Sequence, residues 1–494
     1  MDRRIKLLAA VLVACFGLLF LQLNNLQVRQ ASALRSSPYA PREPGNSDPF
    51  TQPRGDILSA DGVVLAYSTP TKDGYGELRR YPEGPLFADI TGRYDVVDSA
   101  ATGLEAYYDR YLRPHPSPSG SLSQLLTEHV GTDSIILTVS STLQHVAEQA
   151  LAPYPQGAVV AIDPRTGAIL ALYGKPTYDP NRFASHDPKA VHRYYESLNP
   201  TSGTSPLIDF PVAQTIAPGS TFKVVTTSAL FDHARRYLTQ VFPQQSALSL
   251  PETNLQLHNY AGEVCGGDLA EVLAVSCDTA YARLGLEIGA ENLAREAQAF
   301  GFNQVPPIDL PAGEVAPSYF PPASSFAQNL PGVAYSAIGQ ENVRETALED
   351  ALVVAAIGDG GVIMAPHLLS KVIDDQGHVV ASYHPHPWRR ATSAATADAV
   401  RRLMLGVTAP GGTAAGVFPP GLAVAAKTGT AETGSYGCSS TWLVATAPAG
   451  AGETPRVAVA AVVPSTAGIG CSETGAQVAG PIVAKVLTAA LALP

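Results

Sequence analysis

The sequence predicts an α/β domain whose sheet combines early and late segments of the chain. Three observations predict it. Residues 158–162 are a continuous apolar run, Asp163-Pro164-Arg165-Thr166-Gly167 has tight-turn composition, and residues 168–172 are a second apolar run. Together they read as two buried strands joined by a turn. Much later, residues 422–426, 442–446 and 457–463 repeat the short apolar pattern and read as three further strands. Helical segments lie between the two groups, and residues 478–491 read as a closing helix.

From the start of the chain, the elements follow in order. Met1-Asp2-Arg3-Arg4-Ile5-Lys6 precedes 17 mostly apolar residues, 7–23, near the lower length for crossing a bilayer. The basic flank is expected to stay cytoplasmic. Residues 1–23 therefore read as a cytoplasmic tail and a single-pass transmembrane anchor in the cell membrane, with an extracytoplasmic body. Two readings compete. A cleaved signal peptide would use Ala31-Ser32-Ala33, a site far past the apolar run. A lipoprotein signal would use Leu12-Val13-Ala14-Cys15, but the run continues well beyond Cys15. Residues 24 to about 60 are rich in Gln, Asn, Ser and Pro and read as a stalk. They open a smaller mixed module, residues 24–150. In it, Ile57-Leu58 and Val63-Val64-Leu65-Ala66 flank Asp61-Gly62, a hairpin pattern. Residues 79–92 and 111–120 read as loop-rich. Ser141-Thr142-Leu143-Gln144 begins a helix with a Ser or Thr cap. Residues 151–494 form the large domain, in which Ala217-Pro218-Gly219 introduces a helix running through Leu230.

Composition bounds the function. At about 150 residues per domain, 494 residues suggest roughly three units. With 46% hydrophobic residues and 15% charged, the chain has ample core, which excludes wholesale disorder. The 32 basic residues face 43 acidic ones, a net charge of −11, which argues against a nucleic-acid partner. Only 8 of the basic residues are lysines. No phosphate-binding glycine loop and no Cys/His set with zinc spacing is present, so neither cofactor nor metal is expected. Beyond Cys15, four cysteines remain. In an exported chain they allow two disulfides in three connectivities. The pairs nearest in sequence, Cys265 with Cys277 and Cys438 with Cys471, are the expected ones, with buried free thiols as the alternative.

Three short motifs carry chemistry. Ser220-Thr221-Phe222-Lys223 follows the chain break at Pro218-Gly219. Three apart on a helix, Ser220 and Lys223 share a face, and a neutral amine there can take the hydroxyl proton and activate it as a nucleophile. Helix-start N–H groups can stabilise an oxyanion. Taken alone, Ser-x-x-Lys is a weak signal. Lys427-Thr428-Gly429-Thr430 follows a strand. A strand end with a cation and hydroxyls suits a carboxylate substrate, and Gly429 leaves room for a substrate backbone alongside. Ser276-Cys277-Asp278 precedes a helix. A short loop there can aim Ser276 and Asp278 inward and Cys277 away, although by itself the segment reads more readily as a helix cap.

In this order the three motifs resemble those of the penicillin-interacting serine enzymes. The chain as a whole resembles the class B penicillin-binding proteins, peptidoglycan D,D-transpeptidases, and among them the penicillin-binding protein A type. The resemblance covers nearly the whole chain: PRGDILSADGVVLAYS near the start, TVSSTLQHVAEQAL with GAVVAIDPRTGAILAL, then AYSAIGQENV, ALVVAAIGDGGVIMAPHLL, KTGTAET and GPIVAKVL. It implies a penicillin-binding transpeptidase, serine β-lactamase-like fold with a central antiparallel sheet flanked by helices. It also implies that residues 24–150 are a non-catalytic pedestal or dimerisation module. Ser220 would be the nucleophile, Lys223 its general base, Ser276 a proton relay and Lys427 its electrostatic support. Thr428 and Thr430 would bind the substrate carboxylate, and the Ser220 and Thr430 N–H groups would form the oxyanion hole. The implied partners are D-Ala-D-Ala stem peptides, β-lactam antibiotics, and division or elongation proteins. One residue departs from the pattern. The family usually has Asn where this chain has Asp278, and an ionised Asp accepts hydrogen bonds but cannot donate. Asp278 could pair with Lys223 or Lys427, or be protonated.

Competing readings fare worse. A β-lactamase would share the acylation step, but the long N-terminal part argues against it and no deacylating base stands out. A non-catalytic penicillin sensor or scaffold is the binding-class alternative. A fused glycosyltransferase is disfavoured, since roughly 130 residues before Gly157 are few for that domain. His384-Pro385-His386-Pro387 reads as a loop rather than a metal site, and Asp374-Asp375 as a solvated turn. Tyr194 and Tyr195 lack the basic interleaving of a nucleic-acid platform.

Overall fold

A computed structural model describes residues 16, 52–116, 130–432, 438–465 and 473–493. Except for Phe16, the expected anchor at residues 7–23 lies outside the described residues, as do Cys15, Ala31-Ser32-Ala33 and the stalk through residue 51. Among the described residues no helix is long and apolar enough to cross a membrane.

The expected hairpin forms. β1 (Ile57–Leu58) pairs antiparallel with β2 (Val64–Pro70) across Gly62, whose φ of +81° is the left-handed conformation such turns use. β3 (Glu77–Arg80) extends this pair, and β4 (Ser134–Leu137) runs parallel to β1. Residues 79–92 depart from the loop-rich reading. After β3 they form a 3-10 turn at Gly84–Phe87 and a short helix at Ala88–Thr91, because Leu86, Phe87 and Ile90 all bury. Beneath this region a buried carboxylate binds two arginines. Glu105 lies 2.9 Å from Arg54 Nε and 2.6 Å from Arg79 Nε. The helix expected from Ser141 is α1 (Ser141–Leu151), capped by the side chain of Ser140. The hairpin's Asp61 also accepts from Ser141 N and Thr142 N at this helix start.

β5 (Gly157–Ile162) and β6 (Ile169–Lys175) are the expected early pair. The helix expected from Ala217 to Leu230 is split. Gly219–Phe222 is a 3-10 turn, and α2 starts at Lys223 and runs to His233 (Lys223–His233). The turn is tighter than an α-helix because contacts from outside hold it: Gly219 N donates to Gly339 O at 2.9 Å, and Trp442 Nε1 donates to Ala217 O at 2.9 Å. α3 (Asp278–Ile288) and α4 (Ala347–Gly358) follow. α4 is apolar on nearly all sides and is buried accordingly. β7 (Leu369–Ile373) and β8 (Val379–Ser382) flank the expected Asp374-Asp375 turn, in which Asp374 accepts from Gln376 N and His378 N. After α5 (Ala394–Thr408) come β9 (Ala425–Glu432), β10 (Ser439–Ala447), β11 (Val457–Val463) and the closing helix α6 (Gly475–Leu491).

Two sheets result. The first has the order β8-β7-β4-β1-β2-β3, so two late strands complete a sheet begun before residue 150. The second, central sheet has the order β6-β5-β11-β10-β9 and is antiparallel throughout. Its inner strands β5, β10 and β11 are buried at every position, which accounts for the unbroken apolar runs of β5 and β11. The mutually packed pair α1 and α6 and the pair α4 and α5 cover it. Residues 52–494 form one compact unit. The edge strand β9 continues well past the expected residues 422–426. The Lys427-Thr428-Gly429-Thr430 motif therefore lies inside the strand rather than beyond its end.

Candidate active site

Ser220 lies in the 3-10 turn ahead of α2, and Lys223 is the first residue of that helix. The turn lies directly against β9, which two glycines permit. A Cβ on Gly219, whose φ is +58°, would come within 2.9 Å of Thr430 O. A Cβ on Gly429 would come within 2.7 Å of Pro218 O and 2.8 Å of Trp442 Cβ, closer than real Cβ contacts allow. The missing side chain of Gly429 thus faces the nucleophile turn. Room for a substrate is not what the Cβ direction explains; close packing of strand and turn is.

The second motif turns between a short helix (Leu269–Ala274) and α3. Ser276 has φ +60°, an uncommon left-handed conformation for a non-glycine residue. It aims Ser276 and Asp278 toward the lysines, while Cys277 faces away and bonds Cys265, with Cα atoms 5.8 Å apart. That bridge is as expected. Cys438 is also disulfide-bonded, but its expected partner Cys471 lies outside the described residues.

The charges converge on one hydroxyl. Ser276 Oγ accepts from Lys223 Nζ at 3.2 Å and from Lys427 Nζ at 2.8 Å. Lys223 Nζ also donates to Ser276 O and to Asp278 Oδ1, each at 2.7 Å. Lys427 Nζ donates to Thr428 O at 2.9 Å. Asp278, the residue standing where Asn was usual, is thus the partner of Lys223. Burial lowers Lys223 below the ordinary ammonium range, against the opposing pull of Asp278. Burial lowers Lys427 much further; the positive charge of Lys223 adds to the effect and Asp278 opposes it. Two buried amines with lowered pKa values beside a hydroxyl give up protons more readily than exposed lysines, which suits proton transfer. No hydrogen bond joins Ser220 Oγ to Lys223 Nζ, and such contacts commonly tighten only in the substrate complex.

A cleft of about 680 Å³ opens over this cluster, lined by Ser220, Ser276, Asp278, Thr428 and Thr430. Lys223, Lys427 and Gly429 lie beneath its surface. Thr428 Oγ1 is 2.7 Å from Thr413 Oγ1, and the Thr430 hydroxyl accepts from Gly475 N at 3.4 Å. The sequence reading missed Thr413, Tyr335, Glu341 and residues 256–260, all of which also line the cleft. Gly411-Gly412 marks a turn before Thr413, and Cys265 hints that its neighbours reach the second motif, but neither pattern names a site residue. Among the described residues no cluster of His, Cys, Asp and Glu is placed to hold a metal ion.

Comparison with known proteins agrees with this geometry. The penicillin binding protein transpeptidase domain family matches residues 157–488, and the penicillin binding protein A dimerisation domain family matches residues 54–133. The chain is 34% identical to the peptidoglycan D,D-transpeptidase PbpA of Mycobacterium tuberculosis, over 99% of each chain. It is 35% identical to PbpA of Mycolicibacterium smegmatis, over 98% of each. The solved penicillin-binding protein A from M. tuberculosis, a ceftriaxone acyl-enzyme complex, superposes with a TM-score of 0.79 at 32% identity, covering 90% of this chain and 99% of that one. On its motifs, its fold and these relatives, the chain belongs to the penicillin-binding protein transpeptidase family.

Proposed function

We propose that this protein is a peptidoglycan D,D-transpeptidase that cross-links stem peptides through an acyl-Ser220 intermediate and is a target of β-lactams. The observation that carries the reading is the meeting of two pKa-lowered lysine amines on Ser276 Oγ, in the cleft that also exposes Ser220. Curated relatives named peptidoglycan D,D-transpeptidase support it.

In this reading Lys223 takes the Ser220 proton as Oγ attacks the carbonyl carbon of the penultimate D-Ala. The Ser220 and Thr430 N–H groups stabilise the oxyanion, and the Thr428 and Thr430 hydroxyls hold the terminal carboxylate. Collapse breaks the peptide bond. The proton passes through Ser276, with Lys427 holding that hydroxyl, to the amine of the departing D-Ala. The amine of a second stem peptide then attacks the acyl carbon. It gives up a proton through Lys223 to Ser220 Oγ as the new peptide bond forms and the acyl-Ser220 ester bond breaks. Residues 1–23 anchor the chain in the cell membrane with its body extracytoplasmic, and residues 24–150 serve as a pedestal or dimerisation module. Arg3, Arg4 and Lys6 ahead of the apolar run support the orientation. Division or elongation proteins are the partners such an anchored enzyme would meet.

Fluorescent penicillin tests the reading. The native protein should form a durable adduct and Ser220→Ala none. Rapid turnover of the antibiotic would favour a β-lactamase, and a label that does not depend on Ser220 would leave only a binding role.

A further inference from the structure

We infer that Asn259 is a positioning residue for the loop that carries Ser276 and Asp278. The inference rests on the roles proposed above for those two residues. Cys277 occupies the N-cap position of α3, but its sulfur is committed to Cys265 and its side chain makes no cap hydrogen bond. A helix start leaves backbone N–H groups without intrahelical partners, and a side-chain oxygen usually meets one of them. Here the oxygen comes from elsewhere in the chain: Thr279 N donates to Asn259 Oδ1 at 2.8 Å. The other end of the same amide donates to Gln245 O and to Glu263 O, each at 2.8 Å. The amide can face only one way, because Thr279 N–H can only donate and the two carbonyls can only accept.

Asn259 is buried, 5% exposed. It joins two stretches of the 242–267 segment to the first turn of α3. Asp278, next in chain to Thr279, binds Lys223, and Ser276 binds both lysines. The disulfide and the bond from Tyr281 N to Cys277 O at 3.2 Å hold Cys277, and a second hold at Thr279 N, on the far side of Asp278, adds to them. Asn259 supplies that second hold, so the carboxylate and hydroxyl that set the two amines stay in register with Ser220. A misplacement of about 1 Å in such an arrangement can slow a reaction by about a hundredfold.

The test uses the full chain and fluorescent penicillin, measuring acylation rate and melting temperature for Asn259→Ala, Asn259→Asp and Ser276→Ala. Asn259→Ala should slow acylation by about tenfold to a hundredfold. Asn259→Asp keeps the acceptor, and its charge is favourable at a helix N-terminus. It should restore most of the native rate while melting lower, because the two donor bonds are gone. A purely structural role would instead make rate and melting temperature fall together in both variants. A native rate in Asn259→Ala, or an Asn259→Asp enzyme as slow as Asn259→Ala, overturns the inference. Should Asn259→Ala fail to fold, Asn259→Asp decides alone: near-native acylation supports the role, and a rate as low as that of Ser276→Ala refutes it. A native rate in Ser276→Ala would remove the site reading itself, a separate outcome.

Discussion

Asp278 Oδ1 lies 2.7 Å from Lys223 Nζ, so the proposed general base is ion-paired where it must become neutral. Burial lowers the Lys223 pKa and the carboxylate raises it back. Acylation should therefore rise with pH as Lys223 loses its proton. Asp278→Asn removes the raising influence, so Lys223 deprotonates at lower pH and the rising limb of the rate profile shifts toward acid, with acylation retained. The check is the acylation rate with fluorescent penicillin across pH, native against variant. Complete loss of acylation in Asp278→Asn would show that the carboxylate itself is required.

Ser276 and Lys427 should act as one unit. Their contact is 2.8 Å, and the other hydrogen bond of Lys427 Nζ goes to the backbone oxygen of Thr428. Ser276→Ala should slow acylation by about a hundredfold, the usual scale for a lost proton-transfer partner. Lys427→Ala should cost a comparable factor, and the double variant little more than either single one. Costs that simply multiply in the double variant would mean that Lys427 works by another route, such as direct contact with substrate.

Gly429→Ala separates two explanations of the third motif. Its Cβ would press on Pro218 O and Trp442 Cβ, not on the cleft. Overpacking of this kind costs about 1–3 kcal/mol and would push the nucleophile turn off β9. The expected outcome is a lower melting temperature together with a lower acylation rate constant at saturating penicillin. A variant of native stability that only binds penicillin more weakly would return the glycine to the role of making room for substrate.

What could be read in the sequence follows from how local each signal is. β5 and β11 were legible because strands buried on both faces are unbroken apolar runs. The three motifs were legible because each is a few contiguous residues. Residues 427–432 were not recognised as strand, since an edge strand can carry Lys, Thr and Glu that the neighbouring turn and cleft accommodate. The 3-10 form of Gly219–Phe222 was hidden for a different reason: Gly339 and Trp442, which hold it, are distant in sequence. Asn259 and Thr413 reach the site only through the fold. Asp278 could be flagged as unusual from sequence, but its choice of Lys223 as partner needed the geometry.

Glu105 predicts how the N-terminal sheet responds to acid. Burial by itself would raise its pKa, yet Arg79 and Arg54 outweigh burial and hold it below the ordinary carboxylate value. The folded pKa is thus lower than the unfolded one. The stability this provides is present above the unfolded carboxylate range and is lost as pH falls through the folded value. Glu105→Gln keeps the shape but leaves Arg79 buried without its ion-pair partner and Arg54 with Asp109 alone, which should cost about 3–5 kcal/mol. Urea midpoints measured from neutral to acidic pH provide the check. The native protein should lose stability on acidification, and Glu105→Gln should begin lower and fall less steeply, since the titrating group is gone. Parallel curves for the two proteins would mean that another carboxylate governs the acid response and that the Arg54–Glu105–Arg79 cluster contributes only its packing.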